Sequence, residues 1–125
     1  MSTNTRCHLV YALAPPGLNA AAANRLFNDY IGDRSRGLVV FHDHFLRRHG
    51  GVAVFQVKTD DERARLDDPG PLEGWELDVQ PLVFSLTAVG FSAQSDFTLE
   101  RYRGATLEQL RVTEPRDKRF WWQQD

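Results

Sequence analysis

A chain of 125 residues, 42% hydrophobic and 26% charged, is the size and composition of one folded domain with its own core, and it excludes wholesale disorder. With a formal charge of −2 it lacks the Lys and Arg excess of a dedicated nucleic-acid binder. A single cysteine, Cys7, excludes an intrachain disulfide and a cysteine zinc site, and it fits a reducing compartment.

The first apolar run, Leu9 to Ala14, is too short for a signal-peptide core or a membrane span, so the expected setting is cytoplasmic with no membrane partner. His8 to Ala14 (HLVYALA), closed by Pro15, Pro16 and Gly17, is expected to form a buried central strand. From Asn19 the period changes. Ala23, Leu26, Phe27, Tyr30 and Ile31 repeat at the spacing of one helix face, with Asn19 as the cap and Gly32 as a left-handed stop.

Leu38 to Lys58 reads as a β-hairpin, two Val- and Phe-rich runs around His49 and Gly50. A turn there sets His44 opposite Phe55 and His42 opposite Val57. Leu38, Val40, His42, His44, Leu46, Ala53, Phe55 and Val57 then share one face, and Val39, Phe41, Asp43, Phe45, Val52 and Val54 share the other. Neither face is plainly polar. The hairpin therefore needs two covers: helices of its own chain on one face and a second surface, another copy of the protein, on the other.

Thr59 and Glu62 form a capping box that starts a thin second helix, with Ala64 and Leu66 as its apolar contacts and Pro69, Gly70 and Pro71 as its stop. In WELDVQPLVFSL, Trp75, Leu77 and Val79 alternate with Glu76, Asp78 and Gln80, and Pro81 places this fourth strand at a sheet edge or breaks it there. Beyond Leu86, Asp96 to Arg103 and Thr106 to Val112 are expected to be helices, the first capped by Ser95 or Asp96 and the second by a Thr106 and Gln109 box. The tail carries Phe120, Trp121 and Trp122, which are expected to dock on the sheet or on a partner.

The order β-α-β-β-α-β is that of an α+β, ferredoxin-like split βαβ core with a four-stranded antiparallel sheet, spanning about residues 7–86 of a single domain, followed by a C-terminal extension from about 87 to 125. This order, the GGVAVFQVKTDDERARL turn into the second helix and the GPLEGWELDVQPLVFS fourth strand resemble the dimeric α+β barrel superfamily, loosely its YCII-related, muconolactone isomerase and small monooxygenase branches. The resemblance implies a homodimer whose helix-free sheet faces meet and enclose a cavity for a small apolar or aromatic molecule. Its members include isomerases, lyases and cofactor-poor oxygenases, so whether this chain is an enzyme, and with which cofactor, stays open.

His42 and His44 point the same way from one strand, so both imidazoles can reach one ligand, and either can serve as general acid or base. The competing reading is an edge pair whose polar tips reach water. Metal binding lacks an assured third ligand, and no metal is assigned. Asp43, on the opposite face between Phe41 and Phe45, is the rival catalytic group if buried, or a partner of Arg47 if not. Tyr11, Phe55 and Gln56 are the candidate ligand-binding residues. The alternative function is a non-catalytic module for self-association or protein interaction.

Overall fold

The computed structural model describes residues 5–113. Its elements are β1 (Arg6–Leu13), α1 (Ala20–Ile31), β2 (Leu38–His44), β3 (Gly50–Val57), α2 (Asp60–Asp67), β4 (Glu76–Pro81), α3 (Ala88–Arg103) and α4 (Leu107–Thr113), with short 3-10 turns at Arg34–Arg36 and Gly70–Leu72. The fold is α+β. One antiparallel sheet runs in the order β2-β3-β1-β4, so the Pro-ended β4 is an edge strand as its sequence requires. The expected docking of Phe120, Trp121 and Trp122 lies outside the described residues.

One face of the sheet carries the core. Val10 and Ala12 of β1 and Ala53, Phe55 and Val57 of β3 pack with Phe27, Tyr30 and Ile31 of α1 and with Leu66 and Leu72, while Trp75, Leu77 and Val79 close the β4 side. Each large side chain buried in this way stabilises the fold by about 1.5–3 kcal/mol. Phe27 is the hub, stacked 6.4 Å from Trp75 and 6.2 Å from Tyr30. Its ring lies so close to Gly51 that a β-carbon there would come within 2.5 Å of it, which explains the second glycine of the HGG turn.

The capping chemistry read from the sequence is present. Asn19 accepts the Ala22 N–H, Thr59 accepts the Glu62 N–H while Glu62 accepts the Lys58 N–H, and Thr106 and Gln109 bond reciprocally. Gly32, expected as a left-handed stop, is instead right-handed at φ −79°, because the chain passes straight into the Arg34–Arg36 turn. Ala64 is exposed and leaves Leu66 as the only buried residue of α2. The first C-terminal helix is twice the expected length and starts at Thr87, whose side chain accepts the Gly90 N–H, not at Ser95 or Asp96.

The hairpin register also differs. His44 pairs with Gly51 and His42 with Ala53, so the loop is five residues, 45–49, and not a two-residue turn. A bulge between Val39 and Phe41 then reverses the first residues of β2. From Phe41 onward the faces are as expected, but Val39 lies on the helix-covered face opposite Phe55, and Leu38 lies on the other face opposite Gln56.

Arg36 is the structural residue the sequence conceals. It is 1% exposed, its guanidinium sits 4.1 Å over the Tyr30 ring, and its Nη1 donates to the carbonyl oxygens of Arg65 and, at 2.5 Å, Asp68. Arg65 O also accepts the Asp68 N–H and Asp68 lies just past the end of α2, so the guanidinium adds a charged donor where the helix dipole is negative. Tyr30 donates its hydroxyl to Leu66 O at 2.7 Å, and burial pushes its pKa up to about 12. Gly70, at φ +51°, leaves room for Arg36 Nη2, which a β-carbon would meet at 2.6 Å. Arg36→Ala is expected to lower unfolding free energy by about 3 kcal/mol, because it removes charged donors from two part-buried carbonyls and opens a hole over Tyr30. Arg63→Ala, which removes a solvent-facing pair with Asp67, is expected to cost under about 1 kcal/mol. Urea denaturation of both variants checks the contrast.

Candidate functional site

The face turned away from α1 and α2 can be mapped by register. Asp43, Val52, Tyr11 and Asp78 form one row across the four strands, and Phe41, Val54, Leu9 and Gln80 form the next. Neighbouring strands lie about 4.8 Å apart, so a carboxylate stands at each edge of the first row with a tyrosine and a valine between. Tyr11 is 44% exposed, Phe41 45% and Leu38 54%. Of these only Tyr11 stands on a central strand, while Phe41 and Leu38 line the β2 edge, and Val54 and Cys7 between them are buried, so the bare part of this face is its Tyr11 end and its β2 edge. Tyr11 leans on Phe45, with ring centroids 5.2 Å apart.

The charges on this open face are acidic. Glu76 is paired with Arg48 at 2.5 Å, and Asp78 is held by the Gln80 amide at 3.1 Å. Asp43 is exposed and accepts the N–H of His44 at 2.8 Å. It is neither buried between Phe41 and Phe45 nor paired with Arg47 among the described residues. Cys7 lies on the same face but is fully buried, and burial raises its thiol pKa, which keeps it protonated and unreactive.

His42 and His44 sit on the helix-covered face, near its β2 edge. Their rings meet edge to face at 5.5 Å, and His44 packs edge-on against Phe27 at 5.7 Å. His42 is exposed and His44 half-buried, with a buried Nδ1 that has no hydrogen-bond partner among the described residues. The pair is therefore brought together but lies on the opposite side of the sheet from Asp43 and Tyr11. Among the described residues no three His, Cys, Asp or Glu side chains gather into a metal-binding group.

The three ligand-binding candidates are also divided. Tyr11 lines the open face, Phe55 is fully buried against Tyr30 on the helix side, and Gln56 is 9% exposed at one end of the open face. The Gln56 side-chain oxygen accepts the Ala88 N–H at 2.8 Å, an orphan donor of the first turn of α3. A cleft of about 490 Å³ opens beside it, lined by Arg34, Gly37, Leu38, Gln56, Lys58 and Glu62. The sequence carried no signal for this cleft, because its walls come from three separate stretches, 34–38, 56–58 and Glu62.

No protein-family profile, curated protein or solved structure matches the chain. No helix among the described residues is long and apolar enough to cross a membrane.

The His44 environment makes a pH prediction. Burial lowers its pKa, the His42 charge lowers it further and Asp43 opposes them; His8, buried on the same side, is lowered by burial and by Arg63. An unfolded histidine titrates near ~6.5. Below that value, down to the folded pKa, the unfolded chain binds more protons, so stability is full above ~6.5 and falls as pH drops through this window. His44→Asn is expected to lose less stability than wild type between pH 7 and pH 5, with His8 supplying the remaining slope. Urea midpoints at both pH values measure it, and an unchanged slope would show that the His44 ring is solvated.

Proposed function

We propose that the protein is a homodimer of ferredoxin-like subunits of the dimeric α+β barrel type, in which the open sheet faces of two copies meet and bind a small, largely apolar or aromatic molecule between them. The observation that supports this most is the exposure of Tyr11, Leu38 and Phe41 on a sheet whose other face packs its two central strands against the helices. Burying that face against a second copy removes the apolar patch from water, and two curved sheets leave a space whose walls carry Tyr11 and the carboxylates of Asp43 and Asp78.

Within that space Asp43 is the acid/base candidate, since it shares a row with Tyr11 and is solvent-accessible before assembly. His42 and His44 face the helices and serve better as an edge pair than as the catalytic dyad of such a lumen.

Phe41→Asp is expected to convert a dimer into a folded monomer, read by light scattering after size exclusion with circular dichroism as the control for folding. Tyr11→Ser is expected to keep the dimer and to abolish, or cut at least about tenfold in apparent affinity, the thermal stabilisation produced by hits from a screen of small aromatic compounds. A monomeric wild type would end this proposal.

A further inference from the structure

The open sheet face is not the only uncovered apolar surface. α3 has sixteen residues and buries none of them, packs against α4 and makes only marginal contact with any strand. Its apolar residues fall into two stripes. Ala88, Phe91, Ser95 and Leu99 are half-buried towards the rest of their own chain, whereas Val89 is 79% exposed, Ala93 is exposed and Phe97 is 57% exposed on the opposite side. A helix that is apolar on both sides is built to be sandwiched.

The bare stripe continues into the segment before the helix, where Val83 and Phe84 are each 73% exposed. Together with Tyr11, Leu38 and Phe41 these side chains form a bare apolar surface running from the sheet edge along α3, of the kind that marks an interface.

The charges identify the occupant. Asp43 and Asp78 stand on the two edge strands of the sheet, at the rim of the open face, with no cation paired to either among the described residues. Arg101 and Arg103 close the last turn of α3 and have no carboxylate partner among the described residues. With a rise of ~1.5 Å per residue, α3 carries these arginines about 20 Å from its anchor at Gln56.

We propose that α3 is a clasp for a second copy of this chain: its stripe of Val89, Ala93 and Phe97 packs along the β4 edge of the partner's open face, and the last-turn arginines Arg101 and Arg103 supply the positive charge that meets the partner's Asp78 there, leaving Asp43 to the space between the sheets. The clasp rests on the reading that the open face is the dimer interface.

A charge swap tests it. Sedimentation equilibrium of the full chain at low and high salt is compared for wild type, Arg101→Glu with Arg103→Glu, Asp78→Lys, and an equimolar mixture of the two variants. Each variant alone is expected to self-associate at least about tenfold more weakly than wild type at low salt, with a smaller deficit at high salt. The mixture is expected to recover wild-type association, because only the mixed pair sets Glu against Lys at one clasp and Arg against Asp at the other. All three substitutions are at exposed positions, so the circular dichroism of the variants should match wild type. Variants that associate as wild type does, as they would if residues 114–125 of the same chain covered the stripe, overturn the clasp. So does a mixture that stays dissociated. In both cases disruption by Phe41→Asp still upholds the face-to-face dimer, whereas a monomeric wild type overturns both.

Discussion

A four-stranded sheet with apolar side chains on both faces has two surfaces to hide, and α1 and α2 cover one of them. Much else in the described structure follows from that imbalance. The covered face is tightly built around Phe27, whose approach to Gly51 leaves no room even for a methyl group. The open face keeps Tyr11 and Phe41 half in water, and α3 leaves the sheet with an apolar stripe that its own chain does not bury. In the homodimer proposed above, burying this area would couple assembly to stability.

The polar groups divide between the interior and the open face. Arg36 and Tyr30 belong to the structure. They join the Arg34–Arg36 turn, α1 and the end of α2 through donors aimed at backbone carbonyls, and Asp33 adds charge from outside by pairing with Arg65 at 3.0 Å. A short helix with one buried residue gains little from its own burial, so its C-terminal end is held by this arginine. Asp43, Tyr11 and Asp78 have no comparable structural duty. They are placed by register alone, in one row of the open face, and their hydrogen-bonding capacity is left largely to solvent.

Gln56 links the two halves of the architecture. It is nearly buried at the end of the open face, and its side-chain oxygen takes up the first N–H of α3. The position of α3 is thus set from the sheet surface itself, and a change in what covers that surface would be felt at the start of the helix.

Local chemistry was legible in the sequence. The Asn19, Thr59 and Thr106 caps, the α1 face, the alternation of Trp75, Leu77 and Val79 and the edge position of β4 depend on residues a few positions apart, whose hydrogen bonds and periodicity the chain carries wherever it folds. The face assignment of Phe41, Asp43, His42 and His44 was also legible, because side chains alternate along any strand. The bulge that reversed Leu38 and Val39 was not, since it depends on where β2 meets β3 and not on β2 itself. Nor was the burial of Arg36, which the charged segment RSR disguises as a solvated turn and which becomes sensible only when the carbonyls of Arg65 and Asp68 arrive from about thirty residues away. By itself the sequence determined which side chains can share a face. The tertiary structure alone decided which face the helices take, because burial is a property of what arrives on top of a strand, and that set His44 against Phe27 of α1 with His42 at the exposed edge beside it, and put Asp43 in the same row as Tyr11 on the other face.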